Sequence, residues 1–300
     1  MSDIKDFISL PEHSYILSQL LKELPCNQHN QQEEQQEENL FSWSSASDWL
    51  DIAASIESVE LNTTRFDESV QWCEPAWHYE SKRSKLLAHF ITRLTVFNFI
   101  WGCLETVIKI IAPGGFNYEL ARQIGIKGDM IDRAIYYLKM KIIPFHRIPL
   151  YDDLLADFRL LIRKHANYSK LEKQFKENEM ISLAGLGIHI IRMVRNDFAH
   201  GSAQLPSPDD WGEHGASFSE AETIYLDLIE ISSRIVLLTI QMLLLSYYGG
   251  QHFLVNSLKD SVNGLTYEED IHVVARVLHL RDYNIDLSQF YLFGDNSQIV

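Results

Sequence analysis

Two long apolar runs, each interrupted by charge, limit what this chain can fold into. Leu94–Ile111 carries Asn98, Glu105 and Lys109 inside an otherwise apolar pattern. Ile224–Tyr248 carries Asp227, Glu230 and Arg234, leaving Ile235–Leu245 as its uncharged stretch. That stretch falls short of the roughly 20 residues a bilayer core requires. Apolar runs that do not cross a bilayer must be covered by other parts of the protein, so both read as core helices of a soluble domain. No membrane partner is expected.

Helix signals fill most of the remaining sequence. Pro11 suits the first turn of a helix running to about Leu24, where Pro25 stops it. Ser47 reads as the N-cap of a second helix whose apolar face is Trp49, Ile52, Ala53 and Ile56. A long pattern follows from about Pro75 to Ile111 and ends at Pro113-Gly114-Gly115. No Lys-Ser/Thr follows those glycines, so they are not a phosphate loop. Asn117–Ile124 and Asp129–Lys141 read as short helices, with Pro144 and Pro149 marking an irregular connection after them. Tyr151–Glu177 is helical and cationic, with Arg159, Arg163, Lys164, Lys170, Lys173 and Lys176. Met180–His200 is the next helix, and Gly201 stands where a left-handed C-cap belongs. Residues 201–217 form an exposed loop, after which Ser219 and Glu222 make a capping box opening a helix to about Tyr248. Tyr267–Leu280 is compatible with a helix or, through Val273, Val274 and Val277, a strand. The expected fold class is all-α, with any β structure confined to the last 50 residues.

The tract Asn27–Asn39, NQHNQQEEQQEEN, has no apolar side chain to bury and reads as a mobile linker. The expected organisation is a helical N-terminal region over 1–145 that regulates or recognises, followed by a helical domain over 146–300. Cys26, Cys73 and Cys103 are odd in number and widely spaced, which suits a reducing compartment and gives no zinc signature. The first residues lack the basic start and apolar run of a secretory signal, so a cytoplasmic location is expected.

A net charge of -15 argues against phosphate binding until its distribution is considered. Residues 1–80 hold 3 basic and 16 acidic side chains, residues 81–195 hold 19 and 10, and residues 196–300 hold 4 and 15. A basic middle is therefore flanked by acidic ends, and a local field of that kind attracts anions although the whole molecule is acidic.

Chemistry concentrates at the end of Met180–His200. Leu183, Leu186, Ile190, Met193, Val194 and Phe198 supply its apolar side. His189, Arg192, Asn196 and His200 follow one another at helical spacing on the other side, with Arg195 beside that stripe. Two arginines, an amide and a histidine suit RNA cleavage, because RNA carries its own nucleophile in the ribose 2′-OH. Histidine moves protons near neutral pH, and the arginine fork neutralises phosphoryl oxygens without losing its charge. Asparagine can orient either group. The spacing of the carboxylates suggests no metal, and no cofactor is expected.

Arg195-Asn196-Asp197-Phe198-Ala199-His200-Gly201 resembles the motif of the HEPN superfamily: an arginine, a polar residue directly after it, and a histidine after four to six residues in all. The resemblance is sharp over about 20 residues and loose over about 150–250. It implies an all-α bundle of about four helices, usually dimeric, with two copies of the motif meeting in one cleft. It also implies metal-independent endoribonuclease activity that leaves a 2′,3′-cyclic phosphate, in toxin–antitoxin, abortive-infection or other anti-phage systems. Arg195, Asn196 and His200 are then the candidate catalytic residues. Arg192, Arg159, Arg163 and Lys164 are candidate RNA-binding residues, RNA and an antitoxin or other defence protein the candidate partners.

Other features carry less. The pairs Arg83/His89 and Arg159/His165 lack a polar residue after the arginine and read as mid-helix parts of a basic face. His189 reads as a structural histidine. Trp72, Trp77 and Tyr79 can stack on bases, although such spacing more often packs a core. Asp152 and Asp153 are adjacent, face different ways on a helix, and have no histidine beside them. His272 and His279 receive no role. Two rival functions are a non-catalytic HEPN module that binds RNA, nucleotide or a partner such as a nucleotidyltransferase, and a helical adaptor.

Overall fold

A computed structural model describes residues 6–25, 42–66, 72–112, 129–142, 148–165, 167–176, 181–201, 203–209, 218–249, 251–257 and 267–281. The tract 27–39, the turn at Pro113–Gly115 and the helix expected over 117–124 lie outside them. The architecture is all-α, with helices α1 (Leu10–Glu23), α2 (Trp43–Ser55), α3 (Glu74–Ile111), α4 (Met130–Lys141), α5 (Tyr151–Lys164), α6 (Leu183–Ala199), α7 (Glu220–Tyr247) and α8 (Ile271–Val277). Strands β1 (Leu254–Ser257) and β2 (Tyr267–Asp270) pair antiparallel, with Leu254 opposite Asp270 and Ser257 opposite Tyr267. The segment compatible with either helix or strand is thus both, in succession.

Helix α7 is the centre of the fold. Every residue from Ile231 to Ser246 is buried, and its most apolar window is 94% covered by the rest of the protein. A helix that is apolar all round has no solvent face to offer and must be enclosed. Helices α1, α3, α4, α5, α6 and α8 all pack on it, while α2 joins α1 to α3. A single core of buried side chains runs from Phe7 to Leu278, with contributors on both sides of position 145.

Two buried polar side chains of α7, Arg234 and Gln241, bond to segments near both ends of the described residues. Arg234 donates to the Ile8 carbonyl at 3.0 Å, lies 3.6 Å from Glu230, and stacks over the Phe7 ring at 5.3 Å. Gln241 is fully buried; its Oε1 is 2.8 Å from His13 Nε2, and its amide donates to the Ala275 carbonyl at 2.7 Å. His279 Nδ1 lies 3.2 Å from the same Gln241 amide nitrogen, and its Nε2 lies 3.1 Å from the Pro149 carbonyl. His279 is therefore a structural histidine. An unsatisfied buried amide or guanidinium costs several times a typical net hydrogen bond, so these contacts fix the register of the termini on α7.

Two sequence expectations are corrected by packing. Helix α2 starts at Trp43 with Ser42 as its cap, accepting from the Ser45 N–H at 3.1 Å, and Ser47 is a buried interior residue. The earlier start buries Trp43 against Tyr247 and Tyr248, with ring centroids at 5.9 and 6.2 Å. The buried face is Trp43, Ala46, Ser47, Leu50 and Ala53, which leaves Trp49 and Ile52 exposed. The cationic helix is also not continuous. It ends at Lys164, and a 3-10 turn over Ser169–Gln174 follows. His165 Nδ1 accepts the Asn167 N–H at 3.2 Å, and the turn folds Tyr168 and Phe175 back into the core, Phe175 against Phe158 at 5.9 Å. Burying two aromatic rings outweighs three more turns of exposed helix.

Candidate functional site

Helix α6 carries the Arg-Asn-x-x-x-His segment and is held on three sides. Gly187 permits a close crossing, since a Cβ there would lie 2.7 Å from both Ile235 Cγ2 and the Tyr151 hydroxyl. That hydroxyl donates to the Ala184 carbonyl at 2.9 Å and so ties α6 to α5. Near the other end Phe198 packs against Phe90 of α3 and Tyr225 of α7, at 5.8 and 6.3 Å. The anchored helix stops where expected. Gly201 has φ of 67°, the left-handed conformation in which a side chain is strained, and its N–H donates to the Phe198 carbonyl at 3.2 Å. The Ala203 N–H donates to the Asp197 carbonyl at 3.1 Å.

This leaves His200 exposed as the C-cap residue, one turn beyond a half-buried Asn196 and next to the loop. Arg195 is half-buried, and its guanidinium carbon sits 5.7 Å from the centroid of the Trp101 ring. Trp101 is itself buried and fixed, its indole N–H donating to Glu105 at 2.7 Å. Arg195 forms no ion pair with any described residue, and its Nε is buried without a hydrogen-bond partner among them. An aromatic face orients a guanidinium without neutralising it, so the charge remains available to an anion. The contact of Trp101 with Arg195 is one that sequence reasoning missed. Trp101 belongs to an apolar run distant in sequence, and only the crossing of α3 and α6 brings it beneath Arg195.

The other candidate RNA-binding cations, Arg192, Arg159, Arg163 and Lys164, have acidic partners. Arg192 binds Asp129 and Asp132 at 2.7 and 2.8 Å, which joins α6 to α4. A phosphate arriving at Arg192 would compete with two carboxylates already in place. Arg159 lies 3.0 Å from Glu172, Arg163 is paired with the same carboxylate, and Lys164 is paired with Glu220. Arg93 lies 3.0 Å from Glu230 and Lys82 2.9 Å from Glu222. Lys82, Arg93 and Lys164 of the basic middle thus meet acids of α7, whereas Arg159, Arg163 and Arg192 meet acids of the middle itself.

His189 is pushed below its ordinary range by burial and by Arg192 beside it, with Asp132 and Asp129 opposing. His165, expected mid-helix, is the C-cap of α5; burial lowers it, and its ring packs on Tyr168 and Tyr225 at 4.6 and 4.3 Å. Arg83 bonds Glu80 at 3.3 Å, and the His89 ring lies 6.0 Å from Phe218. Trp72 and Trp77 are exposed and do not pack a core. Asp152 and Asp153 occupy the first turn of α5, where carboxylates oppose the helix dipole. A groove between residues 58–66 and α3, lined by Val59, Leu61, Phe66 and Lys85, includes no motif residue.

The loop after His200 is fastened by Glu222. Its carboxylate accepts from the Ser219 N–H at 2.6 Å and the Asp209 N–H at 2.9 Å, and pairs with Lys82. Burial alone would raise this carboxyl, but Lys82 and the two N–H donors outweigh it and hold it below the ordinary carboxylate range. The unfolded chain then binds a proton at higher pH than the folded one. The contribution is complete above the unfolded pKa of about 4.3 and is lost as pH falls through the lower folded value. Glu222→Gln is expected to cost about 3 kcal/mol at pH 7, because it leaves Lys82 without its buried counter-ion. Urea denaturation of both proteins checks this; the gap between them should narrow on acidification below about pH 4. A gap independent of pH would rule out the carboxylate as its source.

Compared with known proteins, the chain matches no protein-family model, no curated protein and no solved structure.

Proposed function

We propose that this chain is a metal-independent endoribonuclease of HEPN type, acting in the cytoplasm as a homodimer within a toxin–antitoxin or anti-phage system. The observation that carries the reading is the end of α6. There Arg195 is oriented by Trp101 and unopposed by any described carboxylate, five residues before an exposed His200. In the reaction the ribose O2′ attacks phosphorus, the bond to O5′ breaks, and the products are a 2′,3′-cyclic phosphate and a 5′-hydroxyl. Arg195 neutralises the phosphoryl oxygens as charge develops, and Asn196 orients the phosphate or the imidazole. His200 transfers a proton, either from O2′ or to O5′.

One copy of the motif is insufficient. Five residues of helix turn the chain by about 500°, which sets Arg195 and His200 roughly 140° apart. The reaction also needs both an acid and a base. A twofold axis between two α6 ends supplies a second histidine and places a complementary Arg195/His200 pair in one groove. Two guanidiniums brought together repel, and phosphate between them relieves that repulsion.

The decisive assay incubates single-stranded RNA with the purified chain in EDTA. Fragments ending in 2′,3′-cyclic phosphate are expected, from a species that sediments as a dimer and whose dimer tightens with RNA or sulfate. RNA binding without cleavage would leave the non-catalytic HEPN reading, and neither binding nor cleavage would leave the helical adaptor. An active species that stays monomeric at assay concentration would overturn the shared groove.

A further inference from the structure

The second half of the sequence holds a donor set that its spacing conceals. His252 precedes β1, Asp270 ends β2, and His272 is the second residue of α8. One ligand atom from each lies within 4.8 Å of the other two. Asp270 and His272 are two residues apart, but His252 lies 18 residues before Asp270, across the hairpin, and the spacing matches no metal-binding motif. We propose that His252, Asp270 and His272 form a binding site for a divalent transition metal, of which zinc is the representative ion.

Each ligand is prepared differently. Asp270 uses one oxygen to cap α8, with Oδ1 accepting the His272 N–H at 2.8 Å, and directs Oδ2 at His252 Nδ1, also 2.8 Å away. His272 is buried, its Nε2 3.2 Å from the Gln251 carbonyl, and its ring centroid is 5.2 Å from that of His252. A carbonyl only accepts, so Nε2 carries the hydrogen and the lone pair lies on Nδ1. A backbone carbonyl on the far nitrogen is the usual means of orienting a ligating imidazole. His252 is the exposed ligand of the three, held towards the site by its contact with Asp270.

The chemistry selects the ion. Two imidazoles and one carboxylate suit zinc and its neighbours, whereas magnesium demands six oxygen-type ligands in a rigid octahedron. Ligands about 2.0–2.1 Å from a tetrahedral zinc stand roughly 3.4 Å apart, so His252 and Asp270 need to separate by about half an ångström. On entry the metal displaces the proton shared by His252 Nδ1 and Asp270 Oδ2 to solvent, and both atoms bind it instead. A fourth position stays open to water or to a group from a partner.

The place also gives the ion a purpose. Two strands of four residues make a hairpin that is marginal by itself. The ion would fasten the start of β1 to the junction of β2 and α8, beside the backbone bond from the Ile271 N–H to the Phe253 carbonyl. The donors are separate from Arg195, Asn196 and His200, so the proposal goes beyond the ribonuclease reading.

Zinc titration of chelator-treated full-length protein tests it, read by metal analysis and by thermal unfolding, with magnesium as the comparison ion. One zinc per chain and a raised Tm are expected for the wild type, with no shift in magnesium. His252→Ala alters an exposed side chain and should fold, yet bind zinc at least about 100-fold more weakly, since loss of a mere supporting partner already costs 10–100-fold. Asp270→Asn keeps the helix cap and should also weaken binding. Cobalt substituted for zinc should show the visible absorption of a low-coordinate site in the wild type and lose it in His252→Ala. Absence of stoichiometric zinc, or equal binding by His252→Ala, would overturn the site. Neither result depends on RNA cleavage, so it leaves the catalytic reading untouched.

Discussion

His200→Ala is expected to lower RNA cleavage by about 100-fold or more while leaving the protein folded. His200 is exposed at the C-cap, and its backbone N–H donates to the Asn196 carbonyl whatever the side chain. Truncation therefore removes the imidazole without opening a cavity. Urea and thermal unfolding should match the wild type within about 0.5 kcal/mol, the range of an ordinary surface substitution. Arg195→Ala should be as damaging to activity, but it also uncovers the face of Trp101 and so mixes two effects. Arg195→Lys separates them. Lysine retains the charge and an apolar stem but loses the planar fork, so packing should survive while most of the activity does not. Wild-type cleavage by His200→Ala would remove the enzyme assignment. Wild-type cleavage by Arg195→Lys would leave only a point charge at that position.

A single 2′-deoxyribose at the cleaved linkage is expected to abolish cutting there, with neighbouring linkages still cut. The loss should be complete within detection because the substitution deletes the nucleophile itself. Binding should change far less, because phosphate contacts dominate affinity for a single strand. Chelation bears on the same point. Nothing in the roles given to Arg195, Asn196 and His200 involves a metal, so EDTA should leave the cleavage step unchanged. It would remove an ion from His252, Asp270 and His272, and the cost would appear as a lower Tm. Strict dependence on magnesium or manganese, or cutting at the deoxy linkage, would each contradict attack by the 2′-OH.

The sequence determined the helices by itself wherever a local signal was complete. The Ser219/Glu222 capping box, the left-handed Gly201 and the stop before Tyr248 each involve a few neighbouring residues whose hydrogen bonds do not depend on distant contacts. The enclosure of α7 followed likewise, its apolar window being 94% buried, whereas the corresponding window of α3 is 56% buried. The motif at 195–200 was legible for the same reason: its residues lie on consecutive turns of one helix.

Tertiary structure decided everything that depends on distant partners. Ser42 replaced Ser47 as the cap of α2 because the earlier start buries Trp43, a gain available only once Tyr247 and Tyr248 are beside it. The helix expected to reach Glu177 ended at Lys164 because Tyr168 and Phe175 have a core to enter. Charge counting placed a basic zone in the middle of the chain, but folding set Glu220, Glu222 and Glu230 against Lys164, Lys82 and Arg93. Coulomb attraction acts through space, and no linear pattern encodes which carboxylate a given lysine will meet. Trp101 beneath Arg195, and the convergence of His252, Asp270 and His272, have the same origin. Local hydrogen bonding is readable along a chain, whereas a site assembled across helix crossings exists only after the core has fixed their geometry.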